Sequence, residues 1–199
     1  MKTAALGQLG MLSIVLGLTP MSAHTASSAP GVVSSPAAVS SPESAVVKIF
    51  STQRMPLPGQ PWTKAGPTEV SGSGVVIEGK RILTNAHVVQ YASQIQVQAN
   101  QASDKMAARV VAIAPSMDLA LLELDDSSFF AAHPSLPRAN VLPAARDEVL
   151  AYGFPVGGAS LSITKGIVSR IEFAPYTFSS AGLRIQVDAA INQIGRAHV

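Results

Sequence analysis

The chain has 199 residues, of which 47% are hydrophobic and 13% charged, and its formal net charge is +2. That length suffices to bury a core in one mid-sized domain or two small lobes, while so few and scattered cations exclude a nucleic-acid partner. The absence of cysteine excludes disulfide frameworks, thiol catalysis and cysteine-ligated metals, and the four histidines lack the H-x-x-x-H spacing of a zinc site; neither a metal nor a cofactor is expected.

The elements follow in chain order. Residues 1–26 read as a secretory signal peptide: Lys2 supplies the positive start, residues 4–18 form an apolar run, and small residues follow for cleavage. That run is too short for a membrane span, which needs about 20 residues. No stable span is therefore expected after cleavage, and the protein is expected to be exported, to a bacterial periplasm or the extracellular space. Residues 27–44, rich in Ser, Pro and Ala, read as a flexible linker.

From Ala45 onward, short β-branched runs separated by Gly, Pro, Asn and Asp predict an all-β chain. Strands are predicted over Val46–Ser51, Gly74–Ile77, Arg81–Thr84, Gln94–Ala99, Ala108–Ala114, Leu119–Leu124, Glu148–Gly153, Ser160–Val168 and Ile185–Val187. The irregular, proline-bearing segment between Asp125 and Glu148 suits a connection between a first lobe over 45–130 and a second over 140–192.

Two positions stand out chemically. His87 follows directly on a predicted strand, where a side chain projects from the β scaffold; a histidine beside Val88 and Val89 also suits a merely half-buried site. Asp118 opens the apolar run Leu119–Leu122. There it can end a turn, or it can accept a hydrogen bond from an imidazole and fix its tautomer. A His and an Asp still lack a nucleophile.

The segments GSGVVIEGKRILTNAHVV, DLALLELD, YGFPVGG, SITKGIVSRIE and QVDAAIN, in this order, resemble the HtrA/Deg family of trypsin-like serine proteases over Ala45–Asn192. The resemblance implies a pair of six-stranded β-barrels, the first complete and the second incomplete. It implies His87 as general base and Asp118 as the acid that orients it. Ala190 and Ile191 fall on the wall of the primary specificity pocket, where an apolar lining favours small aliphatic side chains. The expected function is exported serine endopeptidase in protein quality control, with unfolded or misfolded polypeptides as substrates and a homotrimer as a possible assembly. The alternative is a non-catalytic, chaperone-like peptide binder of the same fold.

In the family pattern Pro-Gly-Asn-Ser-Gly-Gly-Pro follows DAAIN, which would put the nucleophile where Arg196 stands. An Arg is cationic and offers no lone pair for attack. Residues Ile194–Val199 match a common sequencing adapter read as ATC GGA AGA GCA CAC GTC. Two further adapter bases after the C of a proline codon give the Gln193 codon. Residues 193–199 are thus expected to be adapter translation, His198 included, and the chain as it stands is expected to be inactive.

Overall fold

In the computed structural model, residues 14–17, 41–155, 158–175 and 181–190 are described. The elements in order are β1 (Ile14–Gly17), a helical turn α1 (Pro42–Ala45), β2 (Val46–Gln53), β3 (Pro56–Leu57), β4 (Gln60–Lys64), β5 (Thr68–Ile77), β6 (Arg81–Thr84) and α2 (Ala86–Val89). After these come β7 (Ala92–Ala99), β8 (Lys105–Ala114), a 3-10 turn (Pro115–Met117), β9 (Leu119–Leu124), α3 (Phe129–Ala132), β10 (Glu148–Gly153), β11 (Ser162–Pro175) and β12 (Ala181–Val187).

Six strands close a barrel in the order β2-β5-β6-β9-β8-β7, with β7 pairing back onto β2. Closure removes the free edges that an open sheet would expose. Alternation drives it: along β9 the even positions Ala120, Leu122 and Leu124 are buried, and Ile82 pairs with Leu122 in the neighbouring strand. Val47, Ile49, Val97 and Val76 complete the interior. Phe129 and Leu136 pack against this core from the segment after β9, with the Leu136 amide donating to the Val76 carbonyl at 3.0 Å.

The second lobe is a four-stranded antiparallel sheet, β1-β10-β11-β12. The architecture is therefore all-β, a closed six-stranded barrel beside a four-stranded antiparallel sheet. A small apolar cluster joins the lobes: Val46 of the barrel packs with Tyr152 and Phe154. Polar ties reinforce it, since the Phe154 amide donates to Ser73 Oγ at 2.8 Å and Lys48 Nζ to the Gly158 carbonyl at 2.5 Å.

Several strands run longer than their sequence signals. β5 begins at Thr68 rather than Gly74, because its polar first half is held by full pairing with β2. β11 continues past Val168 through a bulge, and its exposed Arg170 and Glu172 pair at 3.2 Å on one side of the strand. Residues 42–44, assigned to the linker by composition, form a helical turn whose Ser44 carbonyl accepts from His133 Nδ1 at 2.8 Å. Of the segment 1–26, Ile14–Gly17 pairs with β10 through its backbone; the rest, and residues 193–199, lie outside the described residues.

Candidate active site

His87 sits on the single helical turn α2, which leaves the end of β6. Thr84 closes that strand by donating through Oγ1 to the Ser73 carbonyl at 2.8 Å. Buried Ala86, Val88 and Val89 anchor the turn to the barrel and leave His87 on its accessible side. Its carbonyl edge is pinned as well: Gln53 Nε2 donates to the carbonyls of His87 at 2.7 Å and Val88 at 2.8 Å, and Ser51 Oγ donates to the Val88 carbonyl. The glycine of the Ser71-Gly72-Ser73 opening has its reason here. A Cβ at Gly72 would lie 2.7 Å from Val88 Cγ2, so a side chain there would push α2 off the barrel.

Asp118 arrives from the other side. It follows the 3-10 turn Pro115–Met117 with φ 55° and ψ 42°, a left-handed conformation that Asp tolerates better than most residues. That twist turns its carboxylate back onto His87. His87 Nδ1 lies 2.7 Å from Oδ2 and 3.0 Å from Oδ1, and the His87 amide donates to Oδ1 at 2.9 Å. Asn85 Nδ2 adds donations to Oδ2 and to the Asp118 carbonyl, both at 3.0 Å. The side chains of His87 and Asp118 are 34% and 29% exposed, so the pair is held by its surroundings yet open to a reactant.

With the proton on Nδ1 donated to the carboxylate, Nε2 carries the lone pair. Such a ring can take a proton from a hydroxyl, and the carboxylate then stabilises the imidazolium. The structure thus brings together the two residues singled out in the sequence. Asn85, Gln53 and Ser51 escape sequence reading because their contacts cross between elements.

Ala190 is exposed and follows buried Ala189, while Ile191 lies outside the described residues. The stretch before Ala190 is placed by β11: Asp188 Oδ1 accepts from the Ile167 amide at 2.6 Å, and Gly166 lies directly against the Ala189 backbone. Away from the pair, burial and then the neighbouring Lys105 hold the Lys48 ammonium below its usual range. Burial and then Glu43 push the Tyr152 phenol up. Among the described residues no cluster of three or more His, Asp or Glu is placed to hold a metal.

The sequence model of the trypsin-like peptidase domain matches residues 72–195. The chain belongs to the trypsin-like peptidases. Its relatives carry the same message more narrowly. It is 43% identical over 150 residues to protease Do-like 4, mitochondrial, and 38% identical over 150 residues to protease Do-like 2, chloroplastic, both of Arabidopsis thaliana. Those matches cover 75% of this chain but 29% and 24% of the relatives, so the chain spans about a quarter of their length.

Solved peptidase structures agree. The active form of the Rv3671c protease from M. tuberculosis aligns with TM-score 0.60 at 27% identity, covering 88% of this chain and 74% of that one. The HtrA-type protease AlgW with a decapeptide aligns with TM-score 0.57 at 28% identity, covering 81% and 53%. Among the described residues no helix is long and apolar enough to cross a membrane.

Proposed function

We propose that this chain is the front part of an exported serine endopeptidase of the Do/HtrA type, with His87 as general base and Asp118 as the residue that orients it. The observation that carries this reading is the paired contact of His87 Nδ1 and backbone amide with one carboxylate, at 2.7 to 3.0 Å, on an accessible barrel edge. In the proposed reaction a serine hydroxyl supplied by the continuation of the second lobe attacks the peptide carbonyl. His87 Nε2 takes the hydroxyl proton and returns it to the leaving amine, and the acyl-enzyme is then hydrolysed.

Unfolded or misfolded polypeptides are the proposed substrates, cut after small aliphatic residues, with Ala190 and Ile191 forming an apolar wall of the pocket. A quality-control role and a homotrimeric assembly rest on the family resemblance. Export to a periplasm or the extracellular space is supported by the cationic, apolar and small-residue order of residues 1–26. The names of the two plant relatives place them in mitochondria and chloroplasts instead.

The residues after Asn192 contain no serine. We therefore infer that the 199-residue chain does not acylate. The test is labelling by a fluorophosphonate, applied to this chain and to the chain continued by the genomic sequence downstream of the Asn192 codon. Labelling is expected only in the continued chain and is expected to vanish on His87→Ala. Labelling of the 199-residue chain, or none in the continued chain, overturns the reading and favours a peptide-binding protein of the same fold.

A further inference from the structure

The segment between β2 and β5 projects from the barrel as a separate two-stranded ribbon, β3 with β4, turning at Gly59. Its apolar side chains are turned outward: Trp62 is 80% exposed, Met55 55% and Leu57 39%. Leaving an indole in water forgoes the burial that an aromatic of that size ordinarily contributes. The ribbon is nonetheless well ordered at its base. The Ala65 amide donates to the Met55 carbonyl at 2.8 Å, and the Arg54 amide to the Tyr91 carbonyl at 3.0 Å. Tyr91, itself half exposed, lies four residues beyond His87, and Gln53 at the ribbon's root donates to the His87 carbonyl. The apolar ribbon is thus rooted on the segment that carries the histidine.

Charge and backbone narrow what the ribbon can hold. Residues 53–68 contain Arg54 and Lys64 and no Asp or Glu, and neither cation forms an ion pair among the described residues. Prolines at 56, 58 and 61 remove amide donors, which disfavours pairing with an added strand. A second copy laid symmetrically on the ribbon would bring like cations together, and a patch this short falls well below the roughly 1,200 Å² that a stable pair buries. A lipid surface is a poor match too, since anionic membranes are held by clusters of about 4–8 basic residues.

We propose that the ribbon over residues 53–67 is a docking surface for apolar, acidic stretches of extended polypeptide, with Trp62 as the anchor and Arg54 and Lys64 as the charge filter. This rests on the endopeptidase reading and names its substrate class: an unfolded chain rich in aliphatic and acidic residues, caught beside the His87 turn. The contact is made by side chains, not by strand addition.

Trp62 is the sole tryptophan of the chain, so its emission reports the ribbon directly. The 199-residue chain is titrated with a Trp-free 20-residue peptide of Leu, Ala, Ser and Glu, and with its Lys-for-Glu counterpart. The acidic peptide is expected to shift Trp62 emission to the blue and to bind about tenfold more tightly than the basic one. Read by the anisotropy of the labelled acidic peptide, Trp62→Ala is expected to weaken binding about tenfold, the scale of an aromatic anchor, and Trp62→Phe to restore most of it. No shift, equal binding of the two peptides, or a shift appearing only with protein concentration or with phosphatidylglycerol vesicles overturns the proposal. Peptide binding in a continued chain that no fluorophosphonate labels leaves the ribbon standing and removes the protease reading; labelling without a Trp62 shift does the reverse.

Discussion

At the scale of single residues, the carboxylate of Asp118 is the most heavily used group in the site. It accepts from the His87 ring, the His87 amide and Asn85, and donors of this kind hold an anion in place more strongly than neutral pairs do. Asp118→Ala is expected to release the ring, so that neutral His87 moves from the Nδ1–H form toward the Nε2–H form; two-bond nitrogen–proton correlation spectra read that exchange directly. An unchanged tautomer would mean that the backbone of α2, and not the carboxylate, orients the imidazole.

How much of this was legible beforehand differs from residue to residue. His87 and Asp118 were visible because strand-end His and Asp before an apolar run are sequence-local signals, and the resemblance then paired them. Gln53 and Ser51 were not: they reach α2 from 34 and 37 positions away, and nothing local in their residue types announces it. Gly72 carried no such local signal either, because its role, to leave room for Val88, is set by a residue from another element.

At the scale of elements, β11 and the segment after β12 meet so closely that one position tolerates no side chain. A Cβ at Gly166 would lie 2.4 Å from the Ala189 nitrogen and 2.6 Å from its Cα, and both are backbone atoms that cannot rotate away. Gly166→Ala is expected to cost about 1–3 kcal/mol by overpacking, and to speed amide exchange at Ile167 and Asp188, whose mutual bonds would open first. Protection unchanged at those two amides would show that the strands separate without loss.

The short helix α3 offers a pH-dependent counterpart. Asp126 Oδ1 accepts from the Ser128 amide at 2.8 Å, and those contacts with Ser128 hold the carboxyl below its usual range. A lowered folded-state value means that the unfolded chain binds the proton more tightly. The contribution is therefore full above the unfolded value of about 4 and fades as pH falls through the folded one. Asp126→Asn is expected to flatten the acid limb of the urea-midpoint profile below about pH 4 and to leave its slope near neutrality unaltered.

Elements also mark where sequence reading falls short. The ribbon β3–β4 carries no strand signal because prolines interrupt it, yet ribbon edges accept proline. Conversely Val110, Val111 and Ile113 lie on a strand the sequence did signal, yet they stand exposed around the register shift of β8 between Val110 and Ala112.

At the scale of the whole molecule, the two lobes touch, among the described residues, through one small apolar cluster and two polar ties, and are strung together by a segment with little regular structure. Residues 137–142 are exposed and belong to no strand. Limited trypsin digestion is expected to cut first after Arg138, leaving a protease-resistant barrel fragment, since cleavage needs unpaired and accessible backbone. A first cut after Lys64 would show the ribbon to open more readily than the connector.

The closed barrel has a consequence for synthesis. All six of its strands, the His87 turn and Asp118 lie before Leu136, so every contact that poises the imidazole can form while the second lobe is still being translated. At about 5–20 residues per second, the stretch from Leu136 to Ala190 takes roughly 3–10 s to emerge. On the ribosome, the imidazole would stand oriented through that interval with no second lobe yet built beside it.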